Sequence, residues 1–346
     1  MDIVQVGLGN FGKRHLEAWR RLGFGERLWI VEPDEAKWPE ARRAEIPERR
    51  ILRSLDAALE RAPLVDLVTP TDSHDALCRQ ALDAGKDVFV EKPMTMTSAQ
   101  ARALAALAEG RGRLIQVGYY YRFHPAARRL KADVEAGRLG RLRYLSGTFC
   151  GFKRARNDVG VMHTDGIHFL DLFNWLLGRP PVEVDAVCRD HFGRGLEDFS
   201  IALLTYPDGA VGKVESGYIQ PGRWEDRVVA GAMTTKELVA VGEAATAEID
   251  FEAGSYRLTE VRHEPVNGVW TPRFGQRAEE SAGVVDPAQM IGWELEAFLS
   301  CVANRQPTAA GPVECGVALA AVMEALYESA TCRERVAVDL DSLVRG

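Results

Sequence analysis

The chain of 346 residues has little cysteine: six, at Cys78, Cys150, Cys188, Cys301, Cys315 and Cys332, with no C-x-x-C pair and no close spacing to histidine. That scatter excludes a zinc-ribbon ligand set and a disulfide framework, so no metal is expected and the thiols are read as small, reduced hydrophobes. No uninterrupted apolar run approaches the ~20 residues that cross a bilayer. Positive charge is in deficit: 43 Lys and Arg against 50 Asp and Glu leave a net charge of −7. The short basic clusters Arg42-Arg43 and Arg49-Arg50 sit among glutamates. Neither nucleic acid nor membrane is therefore an expected partner. The first apolar strand opens beside Asp2, without the pattern of a signal peptide, and a cytoplasmic protein is expected.

Glycine, by contrast, is placed with purpose. The strand Ile3-Val4-Gln5-Val6 runs into Gly7-Leu8-Gly9-Asn10-Phe11-Gly12, a G-x-G-x-x-G, and a helical pattern from Lys13 to Gly23 comes next. A second strand, Leu28 to Val31, ends in Glu32, twenty positions after Gly12. In such a unit the first glycine permits a tight turn, the second lets the backbone approach a pyrophosphate, and the third lets helix and strand pack closely. The helix N-terminus offers N–H groups and a positive dipole end to phosphates, here from Asn10 and Phe11. Glu32 suits the two hydroxyls of an adenosine ribose and repels a 2′-phosphate, so NAD is expected before NADP. Lys37 is the cation nearest in sequence that a rearranged loop could bring to a 2′-phosphate.

Strand and helix alternate through the first third, with further strands at Val65–Val68, Asp87–Val90 and Leu114–Val117 and helices at 54–61, 72–84 and 98–109. This is the grammar of a doubly wound parallel sheet, expected over 1–121. Its carboxyl-end rim collects Gly7–Gly12, Glu32, Thr69-Pro70-Thr71, Glu91-Lys92-Pro93 and Gly118–Tyr121. Beyond Arg122 strands dominate: Arg143–Phe152, Val182–Arg189, Phe199–Tyr206, Gly209–Tyr218, Arg227–Gly231 and Lys236–Val241. Helices are expected at Pro125–Glu135, Met162–Leu177, Pro287–Asn304 and Val313–Ala330. The fold class is thus α/β, with a second α+β domain over 122–346 built on a large, open, mostly antiparallel sheet. One face of that sheet lacks a covering element, and a second subunit is expected on it.

Two sites could carry chemistry. Lys92 leads from a buried strand onto the cofactor rim, where it could hold a substrate hydroxyl or act as a base after desolvation. On the helical pattern 161–178, His168 shares a face with Thr164, Asp165 and Asp171, and a histidine near a helix start tends to stay neutral. The same pattern also fits a hydrogen-bonded core histidine. His74 fits either the cofactor groove or a packing role. Tyr119-Tyr120-Tyr121 and Arg122 are candidates for stacking on and binding substrate, and Arg154, Arg156 and Asn157 for bordering it.

These motifs together resemble the Gfo/Idh/MocA family of oxidoreductases: Gly7–Gly12, Thr69-Pro70-Thr71 with His74, Glu91-Lys92-Pro93, Tyr121-Arg122-Phe123-His124-Pro125, and Gly166-Ile167-His168-Phe169-Leu170-Asp171. The resemblance spans nearly the whole chain. It implies NAD(P), substrates that are sugars, nucleotide sugars or cyclitols, and homodimers or homotetramers formed through the C-terminal sheet. It puts Lys92 and His168 at the family's catalytic lysine and histidine, and Thr69, Thr71, His74, Glu91 and Lys92 around the cofactor. One departure stands out. The family's aspartate four residues before the histidine is Thr164 here, with the acid displaced to Asp165; a hydroxyl cannot stabilise an imidazolium as a carboxylate does. The expected function is an NAD-dependent dehydrogenase. The alternatives are a redox-neutral enzyme using transient oxidation for elimination or glycoside cleavage, and a non-catalytic NAD-sensing protein.

Overall fold

Short runs of apolar residues bounded by turn residues build the first sheet. The computed structural model describes residues 1–281, 283–306 and 309–340. Its first strands are β1 (Ile3–Val6), β2 (Leu28–Val31), β3 (Ile51–Leu52), β4 (Leu64–Leu67), β5 (Asp87–Glu91) and β6 (Ile115–Gly118). All pair in parallel, in the order β3-β2-β1-β4-β5-β6, so the order reverses beside β1, where ligands of such sheets bind. The helices between them are α1 (Asn10–Arg21), α2 (Trp38–Arg43), α3 (Asp56–Leu59), α4 (His74–Asp83) and α5 (Ser98–Arg111). Helix α1 begins at Asn10, ahead of the apolar pattern that starts at Lys13, because Gly9 closes the first turn. Helix α5 starts where the Thr97 side chain accepts from Gln100 N–H and stops at Gly112, whose φ of +60° is cheap only for glycine.

Beyond Phe123 the chain forms α6 (Pro125–Glu135), β7 (Leu142–Cys150), α7 (Ile167–Leu177), β8 (Glu183–Arg189), β9 (Phe199–Thr205), β10 (Val211–Gly217), β11 (Trp224–Glu225), β12 (Met233–Gly242), β13 (Ala245–Asp250), β14 (Ser255–Val266), β15 (Val269–Ser281), α8 (Pro287–Asn304), α9 (Val313–Cys332) and β16 (Val336–Ala337). The second sheet runs β15-β14-β13-β12-β7-β10-β9-β8-β16, with β11 on β12. Its described pairs are antiparallel except β7–β10. Helix α7 lies close on one face. A Cβ at Gly147 of β7 would sit 2.5 Å from the Phe169 ring, and one at Gly212 of β10 would sit 3.0 Å from Phe173. Val187, Leu203 and Val211 alternate away from that packed side and are exposed.

Three expectations need correction. Arg227–Gly231 is a turn rather than a strand, because the Asp226 carboxylate accepts from Val228 N–H (2.7 Å) and Val229 N–H (2.8 Å) and folds the backbone around itself. Strands β13 to β15 extend the sheet beyond the last one expected. The chain also divides differently: one unit comprises Met1–Phe123 with Asp286–Ala320, the other His124–Val285 with Ala321–Leu340. Helix α8 groups with the first unit since it packs on α1, β5 and β6, with Phe298 5.9 Å from the Phe89 ring centre. Among the described residues Val313–Cys332 is the one helix long and apolar enough to cross a bilayer by length and composition alone, and it is largely buried against protein.

Candidate active site

In the first unit the glycine turn is built as a seat. A Cβ on Gly7 (φ +102°) would lie 2.3 Å from Val68 O, and one on Gly12 would lie 2.4 Å from Gly7 O. Both glycines are therefore packing requirements. Above Gly9 there is open space, and Gly9 caps α1 with no side chain. The first N–H groups of the helix, at Asn10 and Phe11, thus meet no capping side chain. From inside β1 the buried Gln5 amide donates to Gly7 O (3.0 Å) and Gly12 O (2.8 Å), fixing the loop from below. Glu32 ends β2 beside this turn. Its Oε2 accepts from Leu8 N–H (2.8 Å), and its Oε1 accepts from Asp34 N–H (3.1 Å) and Lys37 Nζ (3.3 Å). A carboxylate has about four acceptor positions, so ribose hydroxyls can still bond here. Lys37, the candidate for a 2′-phosphate, is paired with the very carboxylate that repels one. Bare backbone, uncapped helix start and acidic β2 end fit NAD.

The ends of β4 and β5 are tied to each other. His74 is buried, with Nδ1 2.9 Å from Pro93 O and Nε2 3.0 Å from Thr69 O. Burial pushes its pKa down, and a neutral ring donates from one nitrogen only. Its place is between the Thr69-Pro70-Thr71 loop and the Lys92-Pro93 turn, holding both. Thr69 Oγ1 accepts from Ser73, and Thr71 is buried. Lys92 itself is half-buried. Glu91 points inward: its Oε2 accepts from Lys92 N–H (3.1 Å), while its Oε1 is 3.2 Å from His15 Nε2. His15 Nδ1 in turn is 3.0 Å from Asp66 Oδ2, which also accepts from Trp19 Nε1–H (2.7 Å). Burial alone would lower the His15 pKa, but the two carboxylates override it and raise it to about 10. Sequence reading missed this cluster. Its one local signal was an aspartate inside the apolar run Leu64–Leu67.

Tyr119, Tyr120 and Tyr121 are all buried, with Tyr120 and Tyr121 ring centres 4.6 Å apart and Tyr120 5.8 Å from Phe11. The Arg122 guanidinium turns into its own unit, 3.2 Å from Ala310 O and 3.3 Å from Cys315 Sγ. It is held there by protein groups.

In the second unit the expected helix Met162–Leu177 is interrupted: Met162–Gly166 form a π-helical turn before α7. An extra residue in the turn rotates the segment before His168 relative to the body of α7, so helical spacing no longer decides which side chains meet. Thr164 Oγ1 donates to Gly160 O (2.9 Å). Asp165, the displaced acid, accepts from Lys153 Nζ (2.7 Å) with both side chains almost fully buried, and its Oδ2 has no hydrogen bond. Lys153 is a further residue that sequence reading passed over. His168 is buried on α7, its ring roughly parallel to Phe149 at 6.3 Å, and the Phe149 ring is also met by the ammonium groups of Lys153 (4.4 Å) and Lys236 (4.9 Å). The π turn is pinned from α9. Tyr327 donates to Glu197 Oε1 (2.6 Å) and accepts from His163 Nδ1 (2.9 Å), and Glu197 also accepts from Met162 N–H. Asn157 lies exposed on the preceding loop.

Comparison with known proteins agrees with this architecture. Residues 1–119 match the Gfo/Idh/MocA model described as an oxidoreductase family with an NAD-binding Rossmann fold, and residues 127–254 match a Gfo/Idh/MocA C-terminal domain. The chain is 31% identical over 233 residues to UDP-N-acetylglucosamine 3-dehydrogenase of Acidithiobacillus ferrooxidans, covering 64% of this chain and 71% of that protein. It is 30% identical over 265 residues to an inositol 2-dehydrogenase of Leifsonia xyli subsp. xyli, covering 74% and 75%. The crystal structure of an oxidoreductase domain protein from Kribbella flavida superposes with a TM-score of 0.84 at 20% identity, over 98% of this chain and 99% of that one, which shows the shared fold. A Rossmann sheet with an NAD seat, joined to a large mostly antiparallel sheet, defines a class of two-domain oxidoreductases. Within it, the chain belongs to the Gfo/Idh/MocA family.

Proposed function

We propose that the protein is a dehydrogenase moving a hydride between NAD and a secondary hydroxyl or ketone of a sugar, nucleotide sugar or cyclitol. The observation that carries the reading is the placement of Lys92 directly after β5, on the strand-end rim that also bears Gly7–Gly12 and Glu32, in a turn held by Glu91 and His74. NAD, when bound, supplies the hydride acceptor. The Lys92 ammonium hydrogen-bonds the reacting oxygen and steadies its negative charge as the O–H proton leaves. His168 takes that proton; the carbinol carbon loses its hydride with the C–H bonding pair to NAD and becomes the carbonyl. Reduction reverses these steps. Thr164 and Asn157 border the substrate, and Asp165 acts in partnership with Lys153.

The named relatives act on UDP-N-acetylglucosamine and inositol, which supports this substrate class. A cytoplasmic homodimer or homotetramer completes the proposal, with a second copy covering the sheet face that bears Val187, Leu203 and Val211. A monomeric mass by light scattering would remove that part. The activity is tested by adding cyclitols, aldoses and nucleotide sugars to the NAD-loaded protein and recording NADH absorbance, with product analysis by mass spectrometry. NADH formed with one substrate class supports the proposal. Altered substrate without NADH replaces it with the redox-neutral reading, and failure to bind NAD refutes it.

A further inference from the structure

We infer that His15 is a positioning residue for Lys92: its ring, held between Asp66 and Glu91, fixes the Glu91 carboxylate beneath the Lys92 turn and so sets the charge against which the lysine works. The inference rests on the proposed catalytic role of Lys92 and extends it to a layer that touches neither substrate nor cofactor.

Three elements contribute one polar side chain each to a site otherwise lined by apolar and aromatic groups. His15 comes from α1, Asp66 from β4 and Glu91 from β5, and His15 and Asp66 are wholly buried. Phe11 and Phe89 stand against the imidazole at 5.5 and 5.7 Å and keep water away. Trp19 donates to the Asp66 oxygen that faces His15. On β6 a Cβ at Gly118 would come within 2.5 Å of Glu91 Oε1, so that strand leaves room for the carboxylate. From α8 the neighbour behind Phe89 is Phe298, while the Glu294 carboxylate turns to Tyr119 N–H. The charged groups facing the imidazole are thus Asp66 and Glu91.

A fold that only needed a packed α1 would place an apolar residue at 15. Two buried carboxylates around one imidazole instead make a fixed ion triad, and a fixed triad holds position better than a mobile side chain. The two carboxylates keep the ring protonated, with a pKa of about 10. Glu91 passes that constraint on, since its second oxygen takes Lys92 N–H at 3.1 Å. His74 fixes the next carbonyl, Pro93 O, from the other side. Helix α1 also carries Phe11 and Gly12 of the NAD seat, so one rigid helix registers the seat and the lysine turn together.

The test reads the Lys92 amine directly, in the full chain loaded with NAD. Acetic anhydride labelling of Lys92, with peptide mass spectrometry as a function of pH, gives its titration midpoint without any substrate. In the alkaline range where a lysine titrates, both carboxylates are ionised. The His15 ring, with a pKa of about 10, is itself about half-charged there. His15→Asn then removes part of a cation and raises the midpoint by at least ~0.2 pH unit, whereas Glu91→Gln removes an anion and lowers it by at least ~0.5 pH unit. With a substrate in hand, both variants lower kcat by about 10-fold or more and leave KM and NAD affinity near wild type. Midpoints that stay put, or that move in one direction in both variants, overturn the inference. Should His15→Asn fail to fold, the near-isosteric Glu91→Gln still decides the sign. Lys92→Ala separates the two ideas: full turnover there defeats the role of Lys92, whereas lost turnover with unmoved midpoints defeats only the role of His15.

Discussion

Removing the Lys236 charge should destabilise the second unit more than any exposed ion pair could. Lys236 lies in β12 with its ammonium 3.0 Å from Asp226 Oδ2, paired also with Glu252, and all three side chains are almost completely buried. Lys236→Met keeps the length of the stem and deletes the cation. Breaking a buried pair at one partner costs about 3–5 kcal/mol. Here Asp226 keeps the N–H groups of Val228 and Val229 and the hydroxyl of Thr234 (3.0 Å), and Glu252 keeps Arg227 Nε (3.1 Å). The low end, about 3 kcal/mol at neutral pH, is therefore expected. The pH dependence gives a second handle. Burial alone would raise the Asp226 pKa, but the Lys236 charge and hydrogen bond, with the Val229 N–H and the Lys153 charge, together outweigh burial and hold it below its usual 3.8. A depressed carboxylate contributes stability that is complete above the unfolded value and disappears as pH falls through the folded one. The gap between wild type and Lys236→Met should accordingly hold from about pH 7 to about 4 and narrow as pH falls further, through the folded Asp226 value. Urea denaturation monitored by circular dichroism across that range measures it. A loss under about 1 kcal/mol at neutral pH, or a gap that does not change with pH, would refute the reasoning.

Three further outcomes are expected. Lys92→Ala and His168→Ala should each lower turnover at least ~10²-fold while NAD stays bound, measured by NADH absorbance and by calorimetric titration with NAD. Gly12→Ala forces a methyl to within 2.4 Å of Gly7 O, so NAD affinity should fall at least ~10-fold with a stability loss of about 1–3 kcal/mol; wild-type affinity would contradict the packing role of that glycine. His15 has a folded pKa raised from 6.5 to about 10, so its stabilising contribution is complete below 6.5 and is lost as pH rises through about 10. Denaturation midpoints should decline over that alkaline window in wild type and more shallowly in His15→Asn.

The parts legible in the sequence were those set by local pattern. Gly7, Gly9, Gly12 and Glu32 announce themselves through spacing along a single βαβ unit, and Lys92 through its place after a buried strand. The rest depends on contacts between distant positions. The partners of His15 lie 51 and 76 residues away, and nothing in the periodicity of α1 names them. The Lys153–Asp165 pair was hidden because the π turn breaks the helical spacing by which Asp165 was assigned to the face of His168. Strand β15 was missed for a plainer reason. Its residues are exposed along nearly the whole length, so it lacks the apolar alternation that marks a half-buried strand. The partners of the Arg122 guanidinium, Ala310 O and Cys315 Sγ, lie 188 and 193 residues further along the chain, and no local pattern around Arg122 names them.

The membership of α8 in the first unit bears on the order of events at the ribosome. Its residues, Pro287–Asn304, are translated after the whole second sheet, yet Phe298 belongs beside Phe89 and the Gln116 amide donates to the Glu294 carbonyl. The nascent Rossmann sheet must wait for a distant piece of chain with part of β5 and β6 uncovered, while the second unit can gather most of its strands. A chain stopped at Phe123 lacks that cover altogether. Domains usually finish in the order in which they are synthesised; here the one begun first is closed only after nearly all of the other has emerged.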